Sequence, residues 1–247
     1  MDGTERAIAQ IDEMMDHASV ALVETRYFDA VSLCTRAMLR ALQAHDFERL
    51  SRICLPLQEG RRQIRQLATD TRVIRVVSSP EEIPSRLEPG CYLLQPPMIG
   101  ADARSLRLAG ERTKTPAFVL TREPLTLKGR WPVVGVGRVV VRTQVDPPVE
   151  LERDPIRVSR DRYMGDPPPT LEWFEDAAEA LGDAAIASVA ADLHPWWRVE
   201  ELVEKLEACP DHEKLHQALE AAALEASQSE PPDDIRRPDP FDNKWSF

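Results

Sequence analysis

The sequence predicts a mixed α/β protein: a small, mainly parallel sheet of three or four strands between an N-terminal helical hairpin and a C-terminal helical bundle. Three observations predict it. Apolar residues recur at spacings of three and four over residues 4–69, which places them on helical faces. Residues 71–145 switch to short runs rich in Val, Ile and Leu, the composition of strands. Residues 170–226 return to the helical spacing.

The first segment, 1–70, reads as three helices. Ile8, Ile11, Met15, Ala18 and Leu22 share one face, Tyr27, Val31, Cys34, Met38 and Leu42 a second, and Phe47, Leu50, Cys54, Leu57, Ile64 and Leu67 a third. Short polar breaks at Glu24-Thr25-Arg26 and His45-Asp46 favour antiparallel neighbours. Pro56 lacks a backbone donor and is expected to kink or split the third helix. Tyr27, Ala30, Cys34 and Ala37, echoed by Phe47, Leu50 and Cys54, resemble the second helix of a tetratricopeptide repeat, a likeness confined to residues 27–69. The resemblance implies helices in close approach over small side chains. No full period of about 34 residues follows, and the Trp and Leu-Gly positions of the repeat are unmatched.

In the 71–145 segment, Arg72–Ser78, Cys91–Gln95, Ala117–Thr121 and Val133–Thr143 read as strands. A helical stretch with Ala103, Leu106 and Ala109 on one side separates the second from the third. Strand, helix, strand implies a parallel pair with a crossover. Near-continuous apolar runs suit strands covered on both faces, the flanking helices being the natural covers. The Cys91–Thr121 stretch resembles the middle of a response-regulator receiver, but Gln95 or Pro96 stands where a phosphoacceptor Asp belongs, and Ser78-Ser79 stands where an acidic pair belongs. The fold likeness carries no activity with it.

Residues 146–169 are Pro-rich and read as a linker or strap. Beyond them, Leu171, Phe174, Ala178 and Leu181 begin a helix that Gly182 is expected to end. Ala185, Val189 and Leu193 suggest a second helix, and Pro195 opens a third carrying Val199, Leu202, Val203 and Leu206. Asp211 is placed to cap a fourth, with Leu215, Leu219 and Ala222 inside. Residues 227–247 form an acidic, Pro-rich tail, expected to be disordered when free.

The chain has 247 residues and net charge −11. Residues 1–70 hold 9 Lys+Arg against 11 Asp+Glu, residues 71–165 hold 16 against 11, and residues 166–247 hold 6 against 20. A balance this acidic disfavours nucleic acid as a partner. No apolar run has the length of a membrane span, and no apolar leader is visible at the N-terminus. Four scattered cysteines, Cys34, Cys54, Cys91 and Cys209, suggest buried thiols in a reducing cytoplasm.

His212-Glu213-Lys214-Leu215-His216 fits the zinc-protease string H-E-x-x-H. Lys214 at a central position, and no evident third ligand on a second helix, favour a charged helix start, so no metal is expected. Gly135-Val136-Gly137 lacks the third glycine and following helix of a dinucleotide loop, and such glycines more often mark a bulge or a close backbone approach. Trp196-Trp197 reads as core or a domain seam. Arg104, Arg107 and Arg112 on the crossover helix are candidate ligands for a phosphate or carboxylate. Phe241, Trp245 and Phe247 in the polar tail are candidate anchors on another protein. The expected function is therefore non-catalytic protein–protein binding, scaffolding or regulation in the cytoplasm without a cofactor. The alternative is an enzyme or sensor that binds a phosphorylated small ligand through the α/β core.

Overall fold

The computed structural model describes residues 3–148 and 169–234. Phe241, Trp245 and Phe247, and most of the 146–169 segment, lie outside the described residues. The N-terminal helices are α1 (Gly3–Val23), α2 (Tyr27–Gln43) and α3 (Phe47–Thr69). The two breaks between them close alike. Arg26 N–H donates to Ala21 O at 2.8 Å and Asp46 N–H to Ala41 O at 2.9 Å, with Thr25 and His45 left-handed at φ 57° and 52°. These closures satisfy helix-end carbonyls and reverse the chain. Asp46 then caps α3 by accepting from Arg49 N–H at 3.1 Å. The expected split at Pro56 does not occur, and α3 runs through it. The carbonyl left without a donor belongs to Arg52, which is exposed, so water can serve it. Of the residues of the repeat-like pattern, Ala30, Cys34, Ala37, Phe47, Leu50 and Cys54 are buried and Tyr27 is half-buried.

Among the described residues the sheet has five strands in sequential order: β1 (Ile74–Val77), β2 (Gly90–Leu94), β3 (Ala117–Arg122), β4 (Trp131–Val136) and β5 (Val140–Val145). Helix α4 (Gly100–Thr113) makes the crossover from β2 to β3. β1, β2 and β3 are parallel as expected, while β4 and β5 are antiparallel additions. The fifth strand arises because the Val133–Thr143 run, expected as one strand, folds into a hairpin: Gly137 N–H donates to Val139 O at 2.9 Å and Val136 pairs with Val140.

Three helices follow: α5 (Leu171–Ala187), α6 (Pro195–Ala208) and α7 (Glu213–Gln228). The sequence suggested four. Gly182 does not end α5, and the apolar pattern of Ala185 to Leu193 runs off its end into a turn. The glycine is required by packing, since a Cβ there would lie 2.0 Å from Cγ of His212.

α3 packs between α2 on one side and α7 on the other, so the N- and C-terminal helices share one layer. Trp196 seals this seam, stacking on His45 at 4.9 Å and meeting Phe47 edge-on. One core joins these helices to Cys91 and Leu93 of β2 and Phe118 and Leu120 of β3. On the opposite sheet face, Tyr92 and Leu94 pack with Ala103 and Leu106 of α4. The alternation of β2 between two cores is the two-sided burial expected of it. β1 departs from that expectation: it is the edge strand, with Ile74, Arg75 and Val76 half-buried and Val73 exposed. Among the described residues, no helix is long and apolar enough to cross a membrane.

Candidate functional site

The site begins as a fault in the sheet. β3 and β4 have six residues each but pair only at Thr121↔Val134 and Arg122↔Val133. Beyond that point the strands part, and a cavity of about 250 Å³ opens over Phe118–Leu120 and Val134–Val136. Its remaining walls come from α4, α5 and the α6–α7 turn, with Arg65 of α3. The turn is brought in close by glycine. A Cβ on Gly135 would lie 2.7 Å from Ala208 O, and one on Gly137 would lie 2.7 Å from Ala208 N. The Gly-Val-Gly string is thus a close backbone approach.

The α4 wall is basic. Arg104 and Arg107, one turn apart, both line the cavity, but their states differ. Arg107 donates to Glu207 O at 2.8 Å, Val136 O at 3.3 Å and Ala208 O at 3.5 Å. It thereby caps the carbonyl end of α6, where a cation is favoured. Burial pushes its guanidinium below the ordinary value. Arg104 is exposed and makes no hydrogen bond or ion pair among the described residues. Arg112, the third expected ligand, is exposed on the last turn of α4 and does not line the cavity.

The α5 wall is acidic, carrying Glu175, Asp176 and Glu179, and the turn adds Asp211 and His212. Asp211 was expected to cap α7. His212 does so instead, its Nδ1 accepting from Leu215 N–H at 3.2 Å. The Asp211 carboxyl is left half-buried at the cavity, with no hydrogen bond or ion pair. Burial pushes this carboxyl upward in pKa, against the pull of Arg61 and Arg107. Arg65 of α3 also lines the cavity and holds the turn, donating to Asp211 O at 3.0 Å and pairing with Glu213.

The H-E-x-x-H histidines are not on an exposed turn, as the sequence suggested: His212 is 4% and His216 1% exposed. Nor do they converge, because His216 Nε2 bonds Pro210 O at 2.9 Å. Burial lowers His216 to about 4 and also lowers His212, the latter against Glu179 and Asp183. A second helix does approach, contrary to expectation. Glu179 and Asp183 of α5 each place an oxygen 3.4 Å from His212 Nε2, grouped tightly enough to hold a metal ion. The ring chemistry opposes that use. With Nδ1 accepting, a neutral ring carries its proton on Nε2, so it faces the carboxylates as a donor. The Lys214 ammonium already bridges both carboxylates at 2.7 and 3.1 Å.

The cavity's thiol, Cys209, is pushed up to about 12 by burial, as are Cys34 and Cys91, so all three are neutral near pH 7. Of the residues lining the cavity, sequence reasoning found Arg104 and Arg107 and missed Asp211 and the α5 carboxylates. Comparison with protein-family models, with curated proteins and with solved structures finds no match.

Proposed function

We propose that this is a non-catalytic binding and regulatory protein whose α/β core holds a small charged organic molecule between α4 and α5. The observation that carries this reading is the open cavity where β3 and β4 part, an apolar floor beside Arg104, Glu175, Asp176 and Asp211, none of which makes a hydrogen bond or ion pair through its side chain among the described residues. Small-molecule sites have this make-up: an apolar lining with a few convergent polar groups. Catalysis is not supported by the groups present. Cys209 is a neutral thiol, and His212 uses Nδ1 to cap a helix. A phosphorylated ligand fits less well than the sequence suggested. Arg107 is committed to three carbonyls, so a phosphate would meet Arg104 on one side and Glu175, Asp176, Glu179 and Asp211 around it.

The test is purification from the native host under non-denaturing conditions, followed by mass spectrometry of released small molecules. One molecule per chain is expected, lost when the cavity is filled by Ala178→Phe in a protein that still melts cooperatively. A chain that releases nothing, or an Ala178→Phe variant that keeps the molecule, would overturn the reading.

A further inference from the structure

The charges of the cavity are segregated, and that segregation names a class of ligand. Opposite walls carry opposite sign: Arg104 and Arg107 on α4, and Glu175, Asp176 and Glu179 on α5. The committed groups can be set aside. Arg107 is held by the end of α6, and Glu179 by Lys214 at 2.7 Å. The groups left are Arg104 on one wall, Glu175 and Asp176 on the other, and Asp211 at the end, none with a hydrogen bond or ion pair among the described residues. His212 also lines the cavity and is 4% exposed, but its Nε2 is turned to Glu179 and Asp183 at 3.4 Å. Between the charged walls the floor is apolar, formed by Phe118, Leu120, Val134 and Leu181.

We infer that the cavity binds a compact zwitterion of amino-acid type. Its ammonium sits on Asp211 with Glu175 and Asp176, its carboxylate faces Arg104, and its methylene body lies on the Phe118–Leu120 floor. A cavity of about 250 Å³ suits a molecule of this size. A simple anion would lie against uncompensated carboxylates. A simple amine would leave Arg104 unanswered. A zwitterion satisfies both walls at once, and its contact at half-buried Asp211 is strengthened by partial desolvation.

This inference rests on the cavity being the binding site, and the experiment separates the two claims. The full chain is titrated by calorimetry with the L-α-amino acids and with γ-aminobutyrate, δ-aminovalerate and ε-aminohexanoate. For each, the matching alkylamine and carboxylic acid are titrated as controls. At least one zwitterion is expected to bind roughly tenfold or more tighter than both of its singly charged counterparts. Asp211→Asn should weaken it about tenfold and Arg104→Gln severalfold, while Arg112→Gln leaves it unchanged. The exposed pair Glu175→Gln and Asp176→Asn gives a second route to the same loss if the Asp211 variant melts abnormally. An amine that binds as tightly as its zwitterion, wild-type affinity in both carboxyl variants, or no binding across the series would overturn the inference. Recovery from the native host of a molecule that lacks an ammonium group, displaced by Ala178→Phe, would overturn the zwitterion and leave the cavity as the site.

Discussion

Replacing Gly182 by Ala tests the packing that builds one end of the cavity. On helix propensity alone the change should help, since Ala is favoured over Gly in a helix interior by about 1 kcal/mol. Gly182 lies inside α5. The structure opposes that gain. The new Cβ would fall 2.0 Å from Cγ, 2.2 Å from Cδ2 and 2.5 Å from Nδ1 of His212. The ring cannot step aside freely, being 4% exposed and holding Leu215 N–H at 3.2 Å. Overpacking costs about 1–3 kcal/mol, and disturbing a helix cap about 1 kcal/mol. Set against the propensity gain, the net loss is about 2 kcal/mol. For a chain of this length that lowers the melting temperature by roughly 4–8 °C. Urea unfolding of four proteins measures it: wild type, Gly182→Ala, His212→Ser and the double variant. Serine can still cap α7 and has no ring. Gly182→Ala should therefore destabilise the wild type and be neutral or stabilising beside His212→Ser. An equal effect in both backgrounds, or a more stable single variant, would refute the packing of α5 on the α6–α7 turn.

Two further outcomes follow from the same region. His216 is buried and lowered from 6.5 to about 4 in the fold, so the unfolded chain takes up its proton first. Its contribution is complete above pH 6.5 and is lost as the pH falls towards 4. That loss amounts to about 3 kcal/mol at ~1.36 per pH unit, and it reads as the difference between wild type and His216→Leu in urea melts over this range. A difference that does not change with pH would contradict the buried neutral ring. Arg107→Leu strands the carbonyls of Val136, Glu207 and Ala208, and should cost on the order of 3 kcal/mol. Arg107→Lys should recover part of that stability, and a variant as stable as wild type would show that the guanidinium is not the clasp between α4 and α6.

The helices and parallel strands were legible because their signal is local. The alternation of Cys91, Tyr92, Leu93 and Leu94 between two cores follows from period two, and the faces of α2 and α3 from period 3.6. The β4–β5 hairpin was hidden because its turn, Gly137-Arg138-Val139, is flanked by valines and carries no Asn-Gly or Asp-Gly signal. Gly182 was misread for a related reason. Glycine marks a helix end when a left-handed residue is needed, but here a distant ring requires the missing Cβ. Arg104 and Arg107 were visible as a basic stripe. The acidic wall looked like an ordinary solvated helix face, and Asp211 like a cap, until long-range packing set them opposite α4. Such juxtaposition between elements far apart in sequence leaves no periodic trace.

The crystal structure of the protein purified from its native host tests the central claim most directly. A small molecule is expected over Phe118 and Leu120, touching Asp211 at one end and Arg104 at the other. An Asp211 carboxyl paired directly with Arg107, closing the space between α4 and α5, would contradict it.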